Sequence, residues 1–533
     1  LARGPQYVRA RRAARQAGDD HVHVLYIDGA WQIAVDRGFR AARQIAEENL
    51  AAVAHLLEQA RVPFFVRDAA SAGPITVGVD AAHRIQALAA LGRATPEQYL
   101  YACAERDCRP FALWHAPRLF RVDRVLVYRN HRVSDDYVIG ASHACAIEFW
   151  QRTGANLRAP AGAPPGRLVP EEVASVEVMV GGRPYPTLST FADHRGLTEA
   201  SFPIDVVYTW VDDADPQWRE RLARAQATIG GPPLHAQAAN PSRYRNRDEL
   251  RYSLRSLAMY ADFVRRVFIV TDGQVPDWLD VDHPAVTIVD HTEILDPELL
   301  PTFNSHAIEA RLHHIEGLAE HYLYLNDDFL FGRQVTATTF FTPNGLARIF
   351  PDERAPIPTG PASPDDRPVD SAAKNVRDLL DRHLGLRVGR KMLHVPYPQR
   401  RSVLAEMERR FPEEFARTAG SQFRHVTDVN VASCFSHYYA FATGRAVEGE
   451  IRFEYVNVAS RWAPLQMRRL LDQRDRDAIC LNETEAMPKQ FDAIDEAVTR
   501  FLQAYLPLPS PFELAAERSQ RPRRRNETMS VKP

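Results

Sequence analysis

Three polar residues, Asn326-Asp327-Asp328, follow the apolar run Tyr322-Leu323-Tyr324-Leu325 and precede Phe329-Leu330-Phe331. Such a run reads as a buried strand, so its end presents two carboxylates and an amide at a sheet edge. Hard oxygen donors of this kind suit Mg²⁺ or Mn²⁺, and through the metal a pyrophosphate. The same tripeptide also fits a plain polar turn, because Asn and Asp are common turn formers. Other candidates stand in similar places. Asp205, Trp210 and Asp212 lie on or just after the run 204–211, and Asp272 follows Val267-Phe268-Ile269-Val270-Thr271. There an acid can bond a ribose hydroxyl or form a turn, and a Trp can stack on a base or join the core. Arg247, Arg251 and Arg255 recur at four-residue spacing. That row either faces phosphate or forms a solvated face paired with acids.

The elements that must hold these residues alternate in type. The run 204–211 reads as a strand, and Asp248 opens a helix with Leu250, Leu254 and Leu257 on one face. Two further strands end at Asp272 and Asp290, and a helix bearing Ile308, Leu312 and Ile315 precedes the strand that ends in the tripeptide. Strands alternating with helices, each strand ending in acidic or turn residues, predict a Rossmann-like α/β sheet with its site at the strand C-termini. Residues 1–20 are expected to be a basic mobile arm and 21–200 an accessory α/β domain. The accessory domain shows a strand at 22–27, a helix over 39–60, strands within 118–129 and 173–180, and a Pro- and Gly-rich linker at 158–167. Residues 351–370 are Pro-rich and acidic and read as an exposed loop. Helical additions are expected over 371–510, clearest at 402–415 and 492–505, and a basic disordered tail over 516–533.

Composition narrows the class. The chain has 533 residues, 45% hydrophobic and 25% charged, with a formal net charge of −2, so no global field recruits nucleic acid. Lysine stands only at Lys374, Lys391, Lys489 and Lys532, and every other basic residue of the 66 is arginine. The five cysteines are odd in number and contain no CxxC pair, which argues against a zinc knuckle or a disulfide framework and fits a reducing compartment. No apolar stretch approaches the ~20 residues needed to span a bilayer. These features predict a cytoplasmic protein whose contact with the inner membrane, if any, is peripheral and through the basic ends. The oligomeric state is left open.

Longer segments form a pattern. IDVVYTWVDDADPQW (204–218), RNRDELRYSLRSLAMYADFVRRVFIVTDGQVPDWL (245–279) and FNSHAIEARLHHIEGLAEHYLYLNDDFLFG (303–332) resemble the first two sequence blocks of the Stealth family. HVPYPQRRSVLAEMERRFPEEF (394–415) with FRHVTDVN (423–430) resembles the third block, and AICLNETEA (478–486) with LPLPSPFE (506–513) the fourth. The family comprises bacterial capsular-polysaccharide hexose-1-phosphate transferases and the catalytic subunit of the animal N-acetylglucosamine-1-phosphotransferase. The resemblance covers residues 203–515 and implies a GT-A-like nucleotide-sugar-binding sheet. It also implies transfer of a sugar-1-phosphate from a UDP-sugar to a glycan hydroxyl, with release of UMP. UDP-N-acetylglucosamine is the leading donor.

By the same resemblance His394 matches a functional histidine and Arg424 a functional arginine that would clamp a phosphate, with His425 and Asp428 in the same network. Asp327 is expected to hold metal and Asp328 to take the acceptor's proton, with Asn326 and Arg247 towards the donor. Asn482 and Glu483 would complete the metal or phosphate shell. Glu483 departs from the family's usual Asp at that position, lengthening the carboxylate by one methylene. Two rivals remain: a metal-dependent glycosyltransferase that releases UDP, and a nucleotide-sugar-binding protein without chemistry.

Overall fold

The computed structural model describes residues 5–17, 21–67, 72–104, 107–115, 122–160, 168–170, 176–193, 199–228, 235, 237, 240, 243–483 and 490–515. The expected tail at 516–533 and residues 161–167 of the expected linker lie outside them. Among the described residues no helix is long and apolar enough to cross a membrane.

The chain from 204 onward builds the sheet that matters for function. We label its strands β1 (Ile204–Thr209), β2 (Val264–Thr271), β3 (Val286–Asp290), β4 (His321–Asn326), β5 (Phe329–Phe331), β6 (Tyr397–Arg400), β7 (Phe453–Asn457) and β8 (Ala478–Asn482). The main sheet runs β3-β2-β1-β4-β6, parallel except for β6, which lies antiparallel to β4. Its strands are covered on both faces and read as unbroken apolar runs: Val206, Val207, Tyr208, Phe268, Ile269, Val270, Leu323 and Leu325 are all 0% exposed. The strand order reverses direction at β1, which β2 and β4 flank. The C-terminal crevice there is the place where open α/β sheets bind ligands.

A second sheet, β5-β8-β7, starts where the first ends. The chain leaves β4, turns through Asp327-Asp328, and re-enters as β5, with Phe329 opposite Cys480 of β8. Helix α1 (Glu249–Tyr260) buries Leu250, Leu254 and Leu257 against this core. It also bolts the turn in place. Ser253 Oγ lies 2.8 Å from the Tyr208 hydroxyl and donates to the Phe329 carbonyl, while Ser256 Oγ accepts the Phe331 N–H at 2.9 Å. The turn carrying the two aspartates is therefore tied to both sheets and a helix.

Among the described residues the N-terminal part is an α/β unit of two mixed sheets and a two-stranded antiparallel ribbon, Val176–Val180 with Arg183–Thr187. Its helix Ala42–Gln59 joins the two halves of the molecule: Ala42 and Ile45 belong to the core of the main sheet, while Leu50, Val53 and Leu57 belong to the N-terminal core. Residues 5–17 belong to the expected basic arm. They form a helix whose Tyr7 ring meets Trp31 edge-on at 4.8 Å, with Ala10 buried. Apolar residues on one face seat a helix that carries four arginines.

Two further expectations change. The segment 351–370 is not simply an exposed loop. Pro351–Pro356 pairs with Arg390–Met392, and Pro368 starts helix α2 (Pro368–Leu384). Charge pairs do what apolar residues do not: Lys374 Nζ holds both Asp366 oxygens at 2.8 Å, and buried Asp370 sits between Arg367 and Lys391. The expected helix over 402–415 is two, Arg401–Arg410 and Pro412–Ala419. Phe411 leaves helical geometry because the following proline disfavours it.

Candidate active site

A cavity of about 490 Å³ opens at the C-terminal crevice of the main sheet. It takes Thr209 and Trp210 from the end of β1, Asp272 and His291 from the ends of β2 and β3, and Asn326, Asp327 and Asp328 from the end of β4. His394 reaches it from the stretch before β6, and Asn482 and Glu483 from the end of β8.

The acidic side of the cavity is under electrostatic tension. Asp328 Oδ2 accepts from Asn482 Nδ2 at 3.1 Å and from the Cys480 thiol at 3.4 Å, while its Oδ1 is buried with no partner. Burial raises the Asp328 carboxyl above its usual range, and His394 opposes that rise. Burial, then the charges of Glu249 and Asp328, push Asp327 well above its ordinary value. Glu249, the first residue of α1, is pushed up to about 6 by burial, with Arg247 opposing. Three carboxylates in one low-dielectric corner repel one another, so the corner favours a cation.

Asp328 Oδ1 and Glu483 Oε1 are buried without a partner, and oxygens of this kind suit a hard divalent ion. Among the described residues, however, Asp328 converges within 4.8 Å with His394 and Cys480 and not with Asp327 and Glu483, and the buried thiol is held protonated and suits such an ion poorly. Asn482 is less free than expected, because its amide oxygen accepts from the Tyr455 hydroxyl at 3.0 Å while its nitrogen orients Asp328.

His394 pairs its Nδ1 with the Tyr397 hydroxyl at 2.8 Å, and Phe329 meets its ring edge-on at 4.7 Å. Burial lowers its pKa, with Asp328 opposing, which favours the neutral imidazole. Arg424 donates from Nη2 to Ser305 Oγ at 2.8 Å, and its Nε is buried without a partner. Asp428 is a scaffold beneath it, accepting from Asn304 Nδ2 and the His425 N–H at 2.9 Å each. The His425 ring turns away to Thr427.

Not every expected residue arrives. Asp205 lies at the opposite end of β1, 0% exposed, where Arg265 binds both its oxygens at 2.9 and 2.7 Å and the Ala319 N–H adds a third bond. Arg251 points to the C-terminal segment and joins Arg255 on the buried Glu513 carboxylate. Asp212 holds the Ala214 N–H on the loop after β1, outside the cavity wall. Asp272 does line the cavity, with Arg221 on its carboxylate at 3.0 Å, and Trp210 and Arg247 line it too.

Sequence reasoning missed Arg243, Glu249, Ser305, His306 and Glu309, all in the wall. Glu309 carried a usable signal, since it interrupts the apolar run Ala307-Ile308-Glu309-Ala310. It is 4% exposed, and burial pushes its carboxyl up to about 7, with Arg424 opposing.

Models of the Stealth protein conserved regions match this chain four times: region 1 over 202–229, region 2 over 243–349, region 3 over 393–441 and region 4 over 468–524. An exopolysaccharide phosphotransferase of Streptomyces coelicolor is 43% identical over 494 residues, which is 88% of this chain and 82% of that one. The exopolysaccharide phosphotransferase CpsY of Mycobacterium tuberculosis is 36% identical over 486 residues, 89% of this chain and 90% of its own. The chain belongs to the Stealth family. All four Stealth regions, far apart along the chain, send residues to the one cavity: Trp210 from region 1, Asp327 and Asp328 from region 2, His394 and Arg424 from region 3, and Glu483 from region 4. The Stealth regions begin at residue 202, whereas 88% of the chain matches the Streptomyces relative, so the shared part extends into the N-terminal unit.

Proposed function

We propose that this Stealth protein transfers a hexose-1-phosphate, with N-acetylglucosamine-1-phosphate the leading candidate, from a UDP-sugar to a hydroxyl of a glycan acceptor. The products are a phosphodiester and UMP, and the role is synthesis of an exopolysaccharide or capsule. The relatives' names, exopolysaccharide phosphotransferases, support the phosphotransferase class. One observation carries the reading: the Asp328 carboxylate, with one oxygen buried and unpartnered, stands beside Asp327 at the sheet's switch point and shares a cavity with His394 and with Arg424, whose Nε is orphaned.

In this reading the acceptor oxygen attacks the phosphorus that bears the sugar, and the bond from that phosphorus to the UMP oxygen breaks. Asp328 takes the hydroxyl proton, a role its raised pKa serves better than an ordinary carboxylate would. Asn482 and the Cys480 thiol fix the orientation of that carboxylate. Arg424 stabilises phosphate charge with a two-pronged guanidinium. His394, tethered by Tyr397 and kept neutral by burial, borders the same oxygens and can relay the proton. Asp327 and Glu483 would hold Mg²⁺ or Mn²⁺, which supplies charge neutralisation to the pyrophosphate. Trp210 and Asp272 border the end of the cavity suited to base and ribose.

Acidic strand ends of this kind also serve metal-dependent glycosyltransferases, and the sheet with an acidic turn into a second small sheet is compatible with a GT-A-like domain. The released nucleotide separates the two. UMP, with a new phosphodiester resonance in the phosphorus NMR spectrum, is the expected result; UDP would assign the chain to the glycosyltransferase class.

A further inference from the structure

Six cationic side chains line the cavity: Arg243, Arg245, Arg247, Arg367, Lys391 and Arg424. Four are committed to carboxylates. Arg245 and Arg247 share Asp495, Arg247 also holds Glu483, and Arg367 and Lys391 share Asp370. Arg243 and Arg424 make no ion pair among the described residues. They are also neighbours whose like charges act on each other: enclosure and then Arg424 pull the Arg243 guanidinium down to about 9, and burial lowers Arg424. Arg243 stands exposed and Arg424 half-buried on the cavity wall.

The two guanidinia repel each other, and although Asp428 acts on Arg424, no ion pair among the described residues offsets that repulsion. The one carboxylate that both of them feel is Glu309, and burial holds it near neutrality, at about 7. The orphaned Nε of Arg424 adds an unmet donor inside the protein. An anion with several acceptor oxygens would answer all three deficits at once. Phosphate does so with forked bonds from both sides.

We infer that Arg243 and Arg424 form a two-arginine clamp for a phosphoryl group, with Arg243 the arm that neither the sequence motifs nor the spacing revealed. The clamp stands on geometry and charge. That the phosphate belongs to a sugar nucleotide rests on the proposed function. Arg243 itself sits in the loop before α1, so its removal leaves the sheet core intact.

Calorimetric titration of the full chain with inorganic pyrophosphate in EDTA tests the clamp without any turnover. Wild type is expected to bind, Arg243→Ala to bind about tenfold to hundredfold more weakly, and Arg243→Lys to fall between them. A thermal melt of each variant checks folding, and Arg251→Ala serves as a control cation outside the cavity that leaves binding unchanged. Equal affinity of wild type and a folded Arg243→Ala, or no binding by wild type, overturns the clamp. If pyrophosphate binding depends on Arg243 while no UDP-sugar releases UMP, the clamp stands and the phosphotransferase reading falls.

Discussion

The two ends of the main parallel sheet hold the same residue types in opposite states. At the N-terminal end Asp205 is fully buried yet fully answered, with Arg265 across both oxygens and the Ala319 N–H in addition. Glu320 nearby is pushed up by burial but brought below its usual range by Ser402 and Arg400. At the C-terminal end Asp327, Asp328 and Glu249 are raised by burial, the Asp328 charge adds to the rise of the other two, and an oxygen of Asp328 is left without a partner. An acid that the fold satisfies is architecture. An acid that the fold leaves wanting, beside a cavity, is where a ligand is expected to complete the arrangement.

Substitutions at the two ends should therefore separate activity from stability. Asp328→Asn is expected to lower turnover by about 10²–10⁴-fold while the melting temperature holds or rises, because one repelling buried carboxylate is gone. Near-wild-type UMP release by that variant would break the comparison. Asp205→Asn should do the reverse, costing about 1–3 kcal/mol in urea unfolding while turnover per folded molecule is unchanged. A loss of turnover without a loss of stability would return Asp205 to the site.

The contrast also has a pH signature. Glu249 is raised to about 6 when folded, from an ordinary value of 4.5. The folded state therefore holds its proton longer than the unfolded state, so this group's contribution weakens the fold as pH climbs from about 4.5 through about 6. Glu249→Gln should match wild type near pH 4 and exceed it by about 2 kcal/mol above pH 6.5 in metal-free buffer. Addition of Mg²⁺ should shrink that gap, read as the difference in melting temperature. A gap that is constant with pH would contradict the charge cluster. Arg251→Ala gives the smallest effect: about 1–2 kcal/mol of stability through the loosened Glu513 segment, with the donor KM unaltered.

Much of this site was legible because strand burial and acid placement are local. The run 322–325 followed by two aspartates announces a buried strand and a polar edge without any knowledge of the rest of the fold. Asp205 misled for the same reason. It belongs to an equally apolar run, but it stands second in β1, which puts it at the N-terminal end of the sheet where Arg265 answers it. The arginine row failed for a different cause. The helix starts at Glu249, after Asp248 adopts a positive φ of 63°, so Arg247 lies outside the helical repeat and turns into the cavity while Arg251 and Arg255 turn to Glu513. Arg243 and Glu309 depend on tertiary neighbours altogether. No periodicity marks a loop arginine that meets Arg424 from 181 residues further along. The basic helix 5–17 was missed because composition outweighed three or four apolar positions.

The most direct test is the nucleotide released when the full chain, Mg²⁺ or Mn²⁺, a UDP-sugar and a glycan acceptor are mixed. The account predicts acceptor-dependent UMP, slowed about 10²–10⁴-fold in Asp328→Asn. Acceptor-dependent UDP, or UMP at an unchanged rate from Asp328→Asn, would contradict it.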